Sequence, residues 1–519
     1  MQEVHCVEIR SFMSHILSQR QFLKTCGNFV VAAAAGGMGL LGNSGNLAPA
    51  LAQTYPPTTI HSFNGSDGAY PKADLLTYNY VRISSVSKPP DFSTFPLVPN
   101  LFANPSINDY GYVSYEGLVG SPTNYLPPSA ILSGNGSSTP TTLIDTTKYQ
   151  FTDNTGKTYD SAIFYSPSIN SSGTTVLAGA GYDLGTAQVN GSGPTAVQSV
   201  TNGSIDNVAN SSTPFVTVAF DPNKSINHIS NQLGTGSFVS APGINNQGTI
   251  AYVAGNSDGI SNIYTKSSSG VKTSIADTSS NSSFSNFYFG GLDVGRGEGP
   301  FAKYTLPAIN DKGAVAFNAD LKGGGKGIFV NDGTNLKTIV AETTNGPYSY
   351  FSVPTLNDLG TVAFNAGFTT GGEAIFKSIK GKLSVIADTS SGSVFKDFKS
   401  DVALNQEGDV AFLADLNDGG SAIYTSSASG LHKVIGVGDA LDGSTVTSLF
   451  ISHEGLNNNG QIAFDAVLAN GGQEVFRADP VAVPEQSSVS SFSSLVLATF
   501  CIVSYYWRHT RGQDDKKNG

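Results

Sequence analysis

The chain has 519 residues, only 13% of them charged, and carries a net charge of −11. Globular proteins average about 25% charged residues; here 59 glycines, together with serine, threonine and asparagine, fill the difference and favour turns and strands over helices. With an acidic balance and no basic run in the body, nucleic-acid binding is excluded.

Residues 1–52 read as an export signal. Arg20 and Lys24 supply positive charge, Phe29 to Leu41 is an apolar Ala/Gly-rich stretch, and Ala50-Leu51-Ala52 is a small-x-small cleavage site for a signal peptidase. The mature chain is then expected to start at Gln53, and Met13 is an alternative start for translation. The run SQRQFLK from Ser18 to Lys24 resembles the twin-arginine export motif, with Gln19 in place of its first arginine. The general secretory route is the other reading. Cys6, Cys26 and Cys501 all lie in the terminal segments, so the body offers no disulfide, thiolate metal site or cysteine nucleophile.

Residues 53–480 repeat one phrase seven times: an asparagine, two polar residues, a glycine, then a small apolar strand. The Asn/Gly pairs are Asn108/Gly111, Asn170/Gly173, Asn245/Gly248, Asn310/Gly313, Asn357/Gly360, Asn405/Gly408 and Asn457/Gly460. The last four copies, such as LNDLGTVAFNA, are the clearest and set a unit of roughly 50 residues. In the unit at Asn357 four strand-like runs can be read: Tyr350–Val353 before Pro354, Thr361–Phe368, Glu373–Ile379 and Lys382–Ala387. Neighbouring units repeat the order, and the Val/Ala/Phe cores suit sheets buried on both faces.

Four strands per unit, seven times over, predict an all-β, seven-bladed β-propeller. An open solenoid would need shorter repeats. The last unit ends at Ala478 after its third run, so a strand is missing there. Residues 58–63 (TTIHSF) are expected to supply it and close the ring as a composite blade, leaving no free edge.

The repeated asparagines and glycines read as turn devices. Asparagine hydrogen-bonds its own backbone two residues on, and glycine supplies a left-handed conformation. The middle residues (DK, DL, QE, NN, NQ, DY, SS) are expected to vary freely. The phrase resembles the NxxGxxAF tandem-repeat family of bacterial exported proteins over about residues 105–477. That resemblance implies a surface location and a repeat fold, and brings no catalytic residue.

No nucleophile elbow, phosphate loop or HExxH motif occurs. His61, His228, His432 and His453 have no metal-ligand spacing and read as surface or strand residues. No cofactor is expected; the one metal option is calcium held by turn carboxylates near Asp332, Asp418 and Asp442. Two segments depart from the repeat. Residues 178–214, rich in Gly, Ser, Thr and Asn, read as a flexible insertion. Residues 290–299 (GGLDVGRGEG) set Asp293, Arg296 and Glu298 on a glycine-rich loop, the candidate ligand loop.

Residues 481–519 carry a second signal. Val483, Pro484 and Glu485 precede an uncharged stretch, 489–507, long enough to span a bilayer as a helix, with Arg508, His509 and Arg511 behind it. The order of parts resembles the PEP-CTERM sorting signal of Gram-negative bacteria and cyanobacteria, with Gln486 in place of the second proline. The resemblance implies processing by an exosortase and a cell-envelope, cell-surface or extracellular destination. The functional expectation is a non-enzymatic exported surface or matrix protein that binds polysaccharide or protein partners through propeller loops. The alternative is an extracellular hydrolase or lyase acting on sugar or phosphate esters at the central channel.

Overall fold

The computed structural model describes residues 77–86, 102–118, 129–146, 148–149, 158, 161–182, 190–193, 195–210, 216–219, 238–239, 242–255, 260–287, 307–342, 344–399, 402–427 and 430–481. They form seven antiparallel blades in a closed propeller, with no helix among them. In each blade strand A lines the central channel, and B, C and D follow outward.

The fifth blade shows how sequence sets the pattern. Strand A is split into Tyr348–Phe351 and Thr355–Leu356, and both pieces pair with strand B, Val362–Phe368. The break falls at Pro354, which has no N–H to give to a ladder. Strands C (Glu373–Ile379) and D (Lys382–Asp388) complete the blade. The tight turn between them places Lys380 and Gly381 at φ of 51° and 81°, as a two-residue hairpin requires. These limits match the sequence-based expectation within two residues at nearly every end.

The phenylalanine of each Val-Ala-Phe strand has a direct partner on strand C. Phe317 opposes Phe329, Phe364 opposes Phe376, Phe412 opposes Tyr424 and Phe464 opposes Phe476, with ring centroids 5.5–6.0 Å apart. Such pairs contribute about 0.5–1.5 kcal/mol each beyond their burial. The core is a series of layers between blades. Ile328 and Val340 of the fourth blade pack with Tyr348, Val362 and Phe364 of the fifth, and corresponding clusters join every neighbouring pair around the ring.

Two expectations are corrected. The seventh blade is composite, but its closing strand is Thr77–Val86, which pairs antiparallel with Gln473–Val481 from Thr77↔Val481 to Val86↔Gln473. Residues 58–63 lie outside the described residues. Tyr80 secures this seam: its ring packs edge-on to Phe464 at 6.2 Å, and its hydroxyl donates to the Val434 carbonyl at 2.6 Å. Residues 178–214 are also more than a loop. They complete Thr175–Tyr182 and supply strands C and D of the second blade, Thr195–Thr201 and Ser204–Asn210, and Asn190–Gly193, which pairs with Val216–Ala219 beyond them in a separate two-stranded sheet. Val197 and Val200 are buried against neighbouring blades, which holds this polar-looking segment in the sheet.

Candidate functional site

All seven repeat turns join strand A to strand B, so they gather at one mouth of the channel. Their glycines, Gly111, Gly173, Gly248, Gly313, Gly360, Gly408 and Gly460, sit at φ between 71° and 85°. Each closes its turn by donating its N–H to the asparagine carbonyl three residues back. In six turns the asparagine Oδ1 accepts two backbone N–H groups further along, as Asn357 does from Leu359 at 3.1 Å and Thr361 at 2.9 Å. The turn role read from the sequence is therefore present.

The asparagine does a second job that local sequence does not reveal. Its Nδ2 donates to the carbonyl of the next blade's repeat asparagine. Asn108 reaches Asn170 (3.0 Å), Asn170 reaches Asn245 (3.1 Å), and Asn245 reaches Asn310 (2.8 Å). Asn310 reaches Asn357 (3.1 Å), Asn357 reaches Asn405 (3.0 Å), and Asn457 closes back on Asn108 (2.9 Å). Asn405 departs from the pattern, donating to Asp409 Oδ2 in its own turn at 3.3 Å.

The following residue forms a second ring above the first, so the middle positions are not all free to vary. The backbone N–H of each donates to the next blade's side-chain oxygen: Ser171 to Asn246, Asn246 to Asp311, Asp311 to Asp358, Asp358 to Gln406, Gln406 to Asn458 and Asn458 to Asp109, at 2.7–3.0 Å. This explains why Asp, Asn or Gln, each with an accepting side-chain oxygen, occupies the position in six copies; Ser171 takes part through its backbone N–H. Burial pushes the Asp358 carboxyl up, against the opposing effect of the Asp311 N–H that it accepts. The third position of the phrase faces solvent and is the one that varies in kind: Tyr110, Ser172, Gln247, Lys312, Leu359, Glu407 and Asn459.

At the rings lies a cavity of about 170 Å³, lined also by Ser106, Ser168 and Thr355 of the A strands and by His453 and Glu454, in the turn that follows strand A of the seventh blade. Ser106 and Ser168 donate to the two Glu454 carboxyl oxygens at 2.8 and 2.9 Å. The same hydroxyls accept the backbone N–H groups of Ile169 and Ile244. Glu454 of the seventh blade thereby holds the first and second. Burial raises its carboxyl to about 7 against the opposing effect of the two serines. His453 Nε2 lies 3.9 Å from Glu454 Oε1 and has no hydrogen-bond partner, and burial pushes the imidazole down to about 4. Their side chains keep 10% and 25% exposure although both sit deep in the molecule, consistent with access through the channel alone.

The sequence paired each glycine with its asparagine, and the structure separates the two. Asn108, Asn170, Asn245, Asn310 and Asn457 line the cavity, whereas Gly173, Gly248, Gly313 and Gly408 do not, and neither do the other three repeat glycines. The reason is the course of the turn, which leaves the glycine on its open side. A Cβ on Gly173 or Gly313 would meet nothing within 4 Å; on Gly248 it would meet only Ser268 Cβ at 3.4 Å, and on Gly408 only Lys377 Nζ at 3.9 Å. These glycines are needed for backbone conformation, and no close approach of another group requires them.

His453 and Glu454 are what sequence reading missed. The signal was there: a proline stands three residues before the repeat asparagine in five units (Pro105, Pro167, Pro242, Pro307, Pro354), and Val402 and Glu454 replace it in the last two. A glutamate in a proline position of a channel-lining segment marks a departure from the scaffold. His432, by contrast, is a buried strand residue beside Ser427 Oγ at 3.1 Å, as expected of it. Among the described residues no group of three His, Cys, Asp or Glu side chains is arranged to hold a metal ion. Of the turn carboxylates, Asp332 accepts from Thr334 and Asn335, and Asp442 pairs with Arg82 at 2.6 Å. Asp293, Arg296 and Glu298, the cleavage residues Ala50 and Ala52, His61 and His228, Val483-Pro484-Glu485 and the stretch 489–507 lie outside the described residues.

Among solved structures the chain is similar to the polysaccharide lyase Uly1, at 9% identity over 78% of this chain and 100% of that one, with a TM-score of 0.39. Trypanosoma rangeli sialidase in complex with the inhibitor DANA is matched at 9% identity over 77% of this chain and 57% of that one, with a TM-score of 0.32. Pyrococcus horikoshii acylaminoacyl peptidase is matched at 9% identity over 77% and 54%, with a TM-score of 0.40. The chain thus spans little more than half the length of the sialidase and the peptidase. No curated protein matches by sequence. A family model does match, over residues 84–490, which take in every blade, and on that match the chain belongs to DUF7453, a family of unknown function.

Proposed function

We propose that the protein is a non-enzymatic exported repeat protein of the cell surface or extracellular matrix, whose propeller is a scaffold for polysaccharide or protein partners. One observation carries this reading: the polar groups gathered at the channel mouth are largely spent on joining blades. Six of the seven repeat asparagine side chains and the carboxylates of Asp109, Asp311 and Asp358 engage neighbouring blades. The cavity there, about 170 Å³, is smaller than the roughly 300–1,000 Å³ of ordinary ligand sites. Partners then meet the solvent-facing loops. The export signal in 1–52 and the sorting signal from Val483, with its signal-peptidase and exosortase-like steps, belong to the same proposal, as do the envelope or extracellular location and the resemblance to NxxGxxAF repeat proteins.

The test is a glycan-array and protein-capture screen run beside product analysis with polysaccharides and phosphate esters. Saturable binding without release of sugar or phosphate is the expected result. The alternative, a hydrolase or lyase at the channel, is favoured by one feature, the partnerless His453 Nε2 3.9 Å from the Glu454 carboxyl. Turnover abolished by Glu454→Gln, with folding intact, would replace the scaffold reading with that one.

A further inference from the structure

Strand order places the A–B turns and the C–D hairpins at the same end of every blade. In blades three to five this end and its opposite differ in charge. Seven lysines (266, 272, 312, 337, 377, 380 and 382) stand at the turn end with three aspartates (311, 332 and 358). Among the described residues the far end of the same blades carries two lysines (322 and 326) and five carboxylates (277, 320, 342, 373 and 388). Asp311 and Asp358 accept neighbouring backbone N–H groups and Asp332 accepts Thr334 and Asn335, while Lys266, Lys312 and Lys377 donate to backbone carbonyls and Lys272 lies over the Tyr264 ring; Lys337, Lys380 and Lys382 stand exposed. A chain of net charge −11 thus presents a locally basic face.

That face also projects aliphatic side chains. Val271 is 62% exposed, Leu336 36%, Leu359 73% and Ile379 48%. Three of them flank C–D hairpins next to an exposed lysine: Val271-Lys272, Leu336-Lys337 and Ile379-Lys380. Aliphatic tips set among lysines suit the interface of an anionic bilayer, where basic residues meet headgroups and apolar tips enter the acyl boundary. The course of the chain points the same way. Thr77 and Val481, the first and last described residues, are paired with each other at this end, and Pro480 lies 3.5 Å from the position a Cβ would take on Gly460 in the seventh A–B turn. Only seven residues separate Val481 from the uncharged stretch 489–507.

We infer that the turn face of blades three to five is a docking surface for anionic phospholipid, which lays the propeller mouth-down on a membrane. The inference does not rest on the scaffold reading, since either a binding protein or an enzyme could be held this way. The experiment reconstitutes the full chain in vesicles and follows amide hydrogen exchange at the hairpins 267–272, 332–337 and 379–382. With about 30% anionic lipid these hairpins exchange several-fold more slowly than in zwitterionic vesicles, and the turn at 321–325 on the opposite end does not change. Salt at about 0.5 M removes the protection. Each of Lys337→Glu, Lys380→Glu and Lys382→Glu weakens it about fivefold, as expected for one basic residue at an anionic surface. These side chains are exposed, so the variants fold. Equal exchange in both kinds of vesicle would overturn the inference, as would protection at 321–325. Protection of the same hairpins by a soluble anionic polysaccharide but not by vesicles would assign the face to a polymer and overturn it too.

Discussion

Replacing Asn357 with aspartate tests whether the asparagine ring joins blades or only shapes turns. Asn357 is 3% exposed, accepts from Leu359 and Thr361 through Oδ1, and donates to the Asn405 carbonyl through Nδ2. Aspartate keeps the two turn bonds and loses the bond to the next blade. It also sets a buried carboxylate against the Asn405 carbonyl, which keeps only its bond from the Gly408 N–H. One lost hydrogen bond contributes about 1 kcal/mol and a buried carboxylate facing a carbonyl about 1–3 kcal/mol more, so Asn357→Asp is expected to cost about 2–4 kcal/mol. Asn405 is an internal control, because its Nδ2 stays within its own turn, on Asp409. Asn405→Asp lacks the inter-blade loss, although it brings a carboxylate near Asp409, and a cost of about 1–2 kcal/mol is expected. The assay is urea unfolding of both variants followed by aromatic fluorescence, at a pH of about 8 where model carboxylates are ionised. Equal destabilisation of the two variants would refute the inter-blade role and return the asparagine to a turn residue only.

Further outcomes follow from the same geometry. Glu454 is raised to about 7 in the folded state, so the fold binds a proton there that the unfolded chain has released. The stability this contributes is full at acidic pH, is lost as pH rises from about 4.5 through 7, and amounts to on the order of 3 kcal/mol; Glu454→Gln should flatten that slope in pH-dependent urea midpoints. His453 acts in the opposite sense, its lowered value costing stability as pH falls from 6.5 toward 4, and His453→Gln removes that loss. Deleting 77–86 exposes the edge of Gln473–Val481 and should give aggregate that the intact chain does not, by light scattering. Finally, Gly360→Ala meets no atom within 4 Å, so its cost is the left-handed backbone alone, about 1–2 kcal/mol by calorimetry. Gly111→Ala also forces Arg477 aside, since its Cβ would stand 2.6 Å from Nη1, and should cost more.

Much of the fold was legible because its determinants are local. An asparagine and a glycine three residues apart set each A–B turn, and a Val-Ala-Phe run sets each strand B. The limits of Glu373–Ile379 and the missing strand after Ala478 could be read for this reason. What failed was non-local. Residues 58–63 and 77–86 are both short mixed runs, and nothing within either says which one pairs with a strand some 400 residues away. Residues 178–214 have the composition of a loop, and only burial of Val197 and Val200 between blades makes them strands. The site was hidden for a similar reason. Glu454 stood out only as a glutamate where five other units have proline, and its two serine partners come from other blades.

By itself the sequence determined the repeat, the blade count, the strand order within a blade and the turn chemistry, all of which act over a few residues or recur at a fixed interval. Tertiary structure alone decided how the ring closes, that the asparagines form an inter-blade belt, and that His453 and Glu454 meet at the channel. Each of these depends on which blade lies beside which, and that is fixed by the packing of buried faces around a closed circle, which no single stretch of chain encodes.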